Sequence, residues 1–246
     1  MKGVILAGGL GKRLYPLTKI TNKHLLPVYN KPMIYYPIEA LIDAGIEDIM
    51  IVTGGNFAGD FLQLLGNGRE FGLKDLHYTY QEGEGGIADA LSLAEHFVEE
   101  DRCIVILGDN IFEKSIKSYV ARYKRQKEGA KIIIKEVPDP QRFGVPVIQD
   151  DKIVAVEEKP KRPKSPYAVT GIYMYDRRIW EIIHTLVPSQ RNELEITDVN
   201  NPYIGKDMLT YDILDGWWTD AGTFESLVHA QQLVSQKANA SRSKNQ

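Results

Sequence analysis

The residues best suited to chemistry stand near the start of the chain. Gly8, Gly9 and Gly11 follow a short apolar run, and Lys12 and Arg13 come directly after them. A backbone without side chains lets its N–H groups converge on an anion, and adjacent cations strengthen the attraction. That combination suits polyphosphate. Two familiar phosphate motifs fail here. The Walker pattern needs Gly-Lys followed by a hydroxyl residue, and Gly11-Lys12 is followed by Arg13. The dinucleotide pattern G-x-G-x-x-G fits Gly9 and Gly11, then meets Leu14. Pro16 and Pro27 interrupt any helix, so Lys12 to Val28 reads as a long irregular segment, a flexible basic lid with Lys19, Lys23 and Lys31. A surface connection with scattered solvated lysines fits the same residues.

Other candidates follow later apolar runs. Gln81 offers a donor and an acceptor together, as the edge of a pyrimidine requires, and Gly85 and Gly86 would let a flat ring approach. A plain polar turn is the alternative. Asp109, in Gly108-Asp109-Asn110, suits a hard cation such as Mg2+, or else belongs to a capping turn. Asp220 is a second carboxylate, just before the last helical segment, where an N-cap-like turn is the competing explanation. Magnesium is commonly held by two carboxylates plus substrate phosphates. In Glu157-Glu158-Lys159-Pro160, Lys159 suits a phosphate monoester and Glu158 suits sugar hydroxyls; a solvated charge run is the plainer account.

These residues need a scaffold. The alternation Gly3–Leu6 (strand), 32–44 (helix), 48–52 (strand), 56–65 (helix), 76–80 (strand), 87–97 (helix), 103–107 (strand), 113–127 (helix), 131–135 (strand) predicts an α/β fold with a mostly parallel sheet between helical layers. Ligands of such sheets bind beyond the carboxyl ends of the strands, where these candidates stand. After about residue 140 the rhythm changes. Strands at 144–148, 153–156 and 168–175 predict a mixed, partly antiparallel extension with a turn at Gln149–Lys152. Helices at 177–186 and 195–203, a strand at 208–213 and a helix at 223–236 complete the reading, with 237–246 as a frayed polar tail. The expectation is a single domain over 1–236, nucleotide-binding mainly in 1–138 and sugar-binding mainly in 139–222.

A chain of 246 residues can bury a core without disulfides. A net charge of −3 gives no electrostatic case for nucleic acid or a membrane surface. Cys103 lies in an apolar run and reads as a buried thiol rather than a nucleophile. No leader-like segment and no apolar run of membrane length is legible, which predicts a cytoplasmic protein.

Taken in order, the segments resemble one family. They are Gly8 to Thr18, then Lys23 with Leu26-Pro27-Val28, Lys31 to Pro37, Leu107-Gly108-Asp109-Asn110, Arg142-Phe143-Gly144-Val145, Glu157-Glu158-Lys159-Pro160, Tyr167 to Tyr173, Glu193 to Asn200 and Trp218 to Thr223. Over residues 1 to about 236 the chain resembles the sugar-1-phosphate nucleotidylyltransferases, in particular the branch using dTTP and glucose 1-phosphate. The resemblance implies a Rossmann-like three-layer α/β/α fold with a smaller sugar-binding extension. It implies dTDP-glucose and pyrophosphate as products, with direct in-line attack on the α-phosphate, Mg2+ as cofactor and a homo-oligomer. Rhamnose synthesis is one expected use of the product. By position, Leu6, Gly8, Gly9 and Gly11 would wrap the nucleotide, while Arg13 and Lys23 neutralise its phosphates. Gln81 and Gly86 would read the base, and Asp109 and Asp220 would hold the metal. Lys159 would grip the sugar phosphate, with Asn110, Gly144, Glu158, Val169 and Tyr173 lining the sugar pocket. A uridylyltransferase is the rival within the class, and a non-catalytic sensor of nucleotide or sugar phosphate the rival outside it. The chain departs from many relatives at Glu82-Gly83-Glu84-Gly85, where prolines are frequent, at His24, where Gln is frequent, and at Pro146-Val147. It also stops soon after its last helix, which reads as a short form without the C-terminal helical segment that helps longer relatives build a second nucleotide site.

Overall fold

The computed structural model describes residues 1–243. The apolar run behind Met1 forms β1 (Lys2–Ala7), buried from Gly3 onward. A short hairpin, β2 (Pro27–Val28) and β3 (Lys31–Pro32), leads to α1 (Tyr35–Asp43). The alternation continues with β4 (Asp48–Gly54), α2 (Ala58–Leu65), β5 (Asp75–Gln81), α3 (Ile87–Ser92), α4 (Glu95–Val98) and β6 (Cys103–Leu107). Next come β7 (Asn110–Phe112), α5 (Lys117–Arg125) and β8 (Ala130–Glu136). The hairpin β9 (Gly144–Gln149) and β10 (Lys152–Glu158) precedes β11 (Tyr167–Tyr175), α6 (Arg178–His184) and α7 (Ile196–Gly205). The described chain closes with β12 (Leu209–Ile213), β13 (Trp218–Asp220) and α8 (Phe224–Ser243).

Seven strands share one sheet in the order β12-β8-β11-β6-β1-β4-β5. All run parallel except β11, which is antiparallel to both β6 and β8. The reason lies in its connection. A parallel neighbour needs a crossover, and β11 follows a hairpin with no helix between, so it enters the sheet from the opposite end. Period-two alternation divides the core. Val4 and Leu6 face one layer, with Ala88 and Leu91 of α3, Ile183 of α6 and Val199 of α7. Ile5 and Ala7 face the other, with Ile38 of α1, Phe61 of α2 and Val120 of α5. Both faces of the sheet are therefore covered by helices, and no described helix is long and apolar enough to cross a membrane.

Several expected boundaries shift for local reasons. The segment read as one helix over 87–97 is two short ones, and the Ser92 hydroxyl bonds the Asp89 carbonyl at 2.7 Å inside the first, competing with helix continuation. The helix expected from Glu113 begins at Lys117, because Asn110–Phe112 pair with β13 and the Glu113 N–H donates to the Trp217 carbonyl. The last helix continues past Gln236 to Ser243, so the expected frayed tail is helical as far as it is described, and 244–246 lie outside the described residues.

The largest correction concerns Lys12 to Val28. It is not a flexible lid. The segment folds as three short 3-10 turns, Lys12–Leu14, Leu17–Lys19 and Lys23–Leu25. Leu14, Leu26 and Val28 are buried in a third core with Met33, Ile111, Ala221 and the α8 residues Leu227 and Ala230. A lid needs few buried apolar contacts, and this segment is anchored by them.

Candidate active site

An open cavity of about 850 Å³ lies beyond the carboxyl ends of β1, β5 and β6. It is bordered by Leu6, Gly8, Gly9, Gly11, Arg13, Lys23, Gln81, Gly86, Asp109, Asn110, Gly144, Glu158, Lys159, Val169, Tyr173 and Asp220. The fold thus brings every residue to which the resemblance assigns a role into one cleft.

The glycine loop is shaped by its own turns. Gly11 has φ +66°, and a Cβ there would stand 2.8 Å from Thr18 and 2.9 Å from the Lys23 side chain, so only glycine fits without strain. The Thr18 hydroxyl donates to the Gly11 carbonyl at 3.0 Å. Lys23, presented by the third turn, reaches Asp109 at 2.6 Å. Burial alone would raise the Asp109 carboxyl, but Lys23 and the Asn110 amide, bonded at 3.0 Å, hold it well below the usual carboxylate range. It is ionised at neutral pH.

Asp220 arrives from far along the chain and is set in place by backbone register. β13 pairs antiparallel with β7, placing Asp220 opposite Asn110, and the Ala221 N–H donates to the Asp109 carbonyl at 2.8 Å. Gly222 marks the convergence. A Cβ on it would lie 3.1 Å from Arg13 Nη2, 3.4 Å from Asp109 Oδ2 and 3.5 Å from Asp220 Oδ2. Burial and then the Asp109 charge push the Asp220 carboxyl up. Two carboxylates that repel each other at the edge of the cleft are the donor set a divalent cation would relieve. Arg13 makes no hydrogen bond or ion pair among the described residues, and its guanidinium charge acts on Asp220. Its donors can turn to a ligand in the cleft.

His24 lines the same floor. It is 2 % exposed, donates from Nδ1 to the Asn22 amide oxygen at 2.7 Å, and is pushed down to about 3 by burial and then by Lys23. It is a neutral spacer beneath Gly108, whose Cβ would lie 2.8 Å from the ring.

At the opposite side of the cleft from Asp220, Gln81 is 5 % exposed. Its Nε2 donates to the Gly86 carbonyl at 3.1 Å and to Asp89 Oδ2 at 2.7 Å. Gly86 has φ +99° and its Cβ would strike the Leu194 carbonyl at 2.6 Å, since the Leu194 N–H donates to the Gly85 carbonyl at 2.7 Å. The Lys12 ammonium and Glu84 pair across the mouth between the two loops.

The remaining wall comes from β9, β10, β11 and the segment before α7. Glu158 accepts from the Thr197 hydroxyl at 2.7 Å and from Arg191 at 3.2 Å. Arg191 also forks onto Glu195, at 3.0 and 2.6 Å. Lys159 has φ +44°, a conformation unusual for a side-chain-bearing residue, held by its N–H donating to the Phe143 carbonyl at 3.0 Å. Asn110 accepts at Oδ1 from the Gly171 N–H at 3.0 Å and from Trp218 Nε1 at 2.7 Å. A Cβ on Gly171 would come within 2.6 Å of that amide.

Sequence reasoning passed over Asp89, Arg191 and Gly222 as site residues. Gly222 stood inside a quoted segment, and its value lies only in what converges on it. Asp89 stands inside an apolar helical segment and Arg191 in a polar loop, neither with a strand-end position to mark it. Arg142, also unassigned, reaches Asp220 at 3.5 Å and Asp139 at 2.8 Å. A further group of possible metal ligands, Asp48, Asp75 and His77, lies within 4.8 Å of one another. Asp48 and Asp75 are register partners at the amino ends of β4 and β5, the sheet edge opposite the cleft, so that cluster takes no part in this site.

Comparison with known proteins points to one family. The nucleotidyl transferase family profile matches residues 2–237. A glucose-1-phosphate thymidylyltransferase of Neisseria meningitidis is 45% identical over 95% of this chain and 82% of its own length. One from Mycolicibacterium smegmatis is 42% identical over the same shares. Among solved structures, a Bacillus anthracis protein described as a glucose-1-phosphate thymidylyltransferase, in complex with sucrose, is 56% identical with a TM-score of 0.91, covering 95% of this chain and 94% of that one. A UDP-glucose pyrophosphorylase complexed with UDP-glucose is 25% identical with a TM-score of 0.84, covering 96% and 98%.

Proposed function

The chain belongs to the nucleotidyl transferase family, and on that premise we propose that it joins dTTP to glucose 1-phosphate, releasing pyrophosphate and forming dTDP-glucose. The observation that carries this reading is the convergence of Arg13, Asp109 and Asp220 on Gly222 beside the glycine loop. The similarity to thymidylyltransferases supplies the substrates.

A phosphate oxygen of glucose 1-phosphate attacks the α-phosphorus of dTTP in line. The bond to the β-phosphate bridging oxygen breaks, and pyrophosphate leaves with that electron pair. Little covalent work falls to the protein, so positioning and charge stabilisation carry the rate. The glycine loop cradles the triphosphate. Arg13 stabilises charge developing on the α-phosphate and the leaving group. Lys23 neutralises a phosphate and holds Asp109 ionised. Asp109 and Asp220 are the residues that would hold Mg2+, which when bound supplies further neutralisation of phosphate charge. Gln81 and Gly86 take the base, residues 1–138 forming the nucleotide side. Residues 139–222 form the sugar side, where Lys159 binds the sugar phosphate, and Glu158, Gly144, Asn110, Val169 and Tyr173 bound the sugar. Burial first, then the Glu158 and Asp109 charges, push the Tyr173 phenol up, so it stays protonated as a donor. The reading extends to a cytoplasmic homo-oligomer.

The test is pyrophosphate release measured across a matrix of common nucleoside triphosphates and hexose 1-phosphates. Fastest release with dTTP and glucose 1-phosphate is expected. Thymine differs from uracil by a methyl, worth about 1–3 kcal/mol of discrimination in a fitted pocket. Preference for UTP would move the assignment to a uridylyltransferase, the activity class of the UDP-glucose-bound structural relative. No release with any pair would favour a non-catalytic sensor.

A further inference from the structure

We propose that Asp89 is a positioning residue that fixes which end of the Gln81 amide faces the nucleotide base, and so makes the site select bases that carry a ring N3–H at that edge. The proposal rests on the reading that Gln81 meets the base, and extends it to a residue to which that reading gives no role.

Gln81 Nε2 has two protons, and both are spent. One goes to the Gly86 carbonyl at 3.1 Å and the other to Asp89 Oδ2 at 2.7 Å. Neither partner can donate. A carbonyl oxygen and a carboxylate offer only lone pairs, so the opposite orientation of the amide would set oxygen against oxygen at both places. The amide is therefore locked with its NH2 turned inward. Its Oε1 is the polar atom left over, lying 2.6 Å from where a Cβ of Gly8 would stand, on the cleft floor. Among the described residues nothing donates to it.

The chain makes room for this lock. A Cβ on Gly85 would collide with the Asp89 carboxylate, so the glycine pair before α3 lets Asp89 fold back over the loop toward Gln81. Asp89 also lies in the first turn of α3, where an acidic residue aids a helix regardless of any ligand. The two roles make different predictions.

An acceptor-only face at Gln81 welcomes the imide N3–H of thymine or uracil. Cytosine presents a lone pair at N3 and would meet Oε1 unfavourably. A site built to hydrogen-bond a substrate N–H discriminates strongly against one that lacks it, because the buried acceptor is then left unpaired. Asp89 does not touch the base. It removes the alternative amide orientation that would accept cytosine.

The experiment is Asp89→Leu, assayed with dTTP and with CTP. The expected result is a fall of about tenfold or more in the dTTP-over-CTP ratio of kcat/KM. It should be carried by a higher KM for dTTP, with the KM for glucose 1-phosphate unmoved. Asp89→Asn, which can still present an oxygen to Gln81, should keep most of the ratio. Equal losses for dTTP and CTP in Asp89→Leu would overturn the proposal and leave Asp89 a helix-start residue. Should Asp89→Leu not fold, Asp89→Ser keeps a polar group in the first turn and is too short to reach Gln81. Equilibrium binding of dTMP against dCMP to that variant reads the same ratio without catalysis. Gln81→Leu separates the proposal from its premise. An unchanged dTTP preference there would remove Gln81 from base reading altogether. A lost preference there, with an intact one in Asp89→Leu, would strike Asp89 alone.

Discussion

Lys23 and Lys159 border the same cleft and are held in contrasting ways. Lys23 is 13% exposed in its side chain and pairs with Asp109 at 2.6 Å, above a floor of buried His24 and Asn22. Lys159 is 47% exposed and meets Glu158 at 3.2 Å, on a wall where the half-exposed Arg191 bridges Glu158, Glu193 and the buried Glu195. A partly buried pair persists only when geometry and added hydrogen bonds repay desolvation, so the side proposed to take the phosphates is held in place before any ligand arrives. Exposed pairs are screened and contribute little, so the wall proposed to take the sugar phosphate can exchange its partners cheaply. The scaffolds differ in the same sense. The side proposed for the triphosphate rests on parallel strand ends and a third apolar core. The opposite wall rests on a hairpin, the antiparallel strand β11 and a loop.

That contrast can be broken by experiment. Asp109→Asn or Asp220→Asn should lower turnover by at least ~10²-fold, since each removes charge from the place proposed for metal and phosphate. Unchanged turnover in both would end the metal assignment. Arg13→Ala should also lower kcat by roughly 10²-fold, and raise the sugar-phosphate KM much less. A pure KM effect would make Arg13 a ground-state ligand and dissolve the distinction between the two sides. Lys159→Ala should raise the KM for glucose 1-phosphate by about tenfold with kcat nearly kept, and added salt should mimic part of that loss in the parent enzyme.

Smaller effects sharpen the picture of the floor. His24 is pushed down to about 3 from 6.5. As pH falls through that window the unfolded chain takes a proton the native state refuses, so stability drops, by at most about 1.4 kcal/mol per pH unit from this group. Urea unfolding of His24→Gln at pH 7 and pH 5 should show a shallower loss than the parent. Cys103, buried in β6 and pushed up to about 12, should ignore thiol reagents at pH 8 until the protein is unfolded.

Much of this was legible in the chain. The alternation of apolar runs and amphipathic segments predicts strand and helix order because burial imposes those periods locally. Strand-end positions predict Gln81 and Asp109 because a parallel sheet exposes its carboxyl ends to ligand. The basic segment was misread for a physical reason. Leu14, Leu26, Val28 and Met33 follow no regular period, and they are buried by Leu227 and Ala230 from the far end of the chain. Nor does any local pattern mark β11 as the strand inserted between β6 and β8, since that position is settled by non-local pairing.

By itself, the sequence determined which chemical groups are present, their order, and the α/β alternation that carries them, because these depend on residue type and on near neighbours. Tertiary structure alone decided that β13 would bring Asp220 beside Asn110, that Gly222 would leave space for two carboxylates and a guanidinium, and that Asp89 would turn the Gln81 amide. Each joins segments separated along the chain, and only packing and register bring such segments within hydrogen-bond distance.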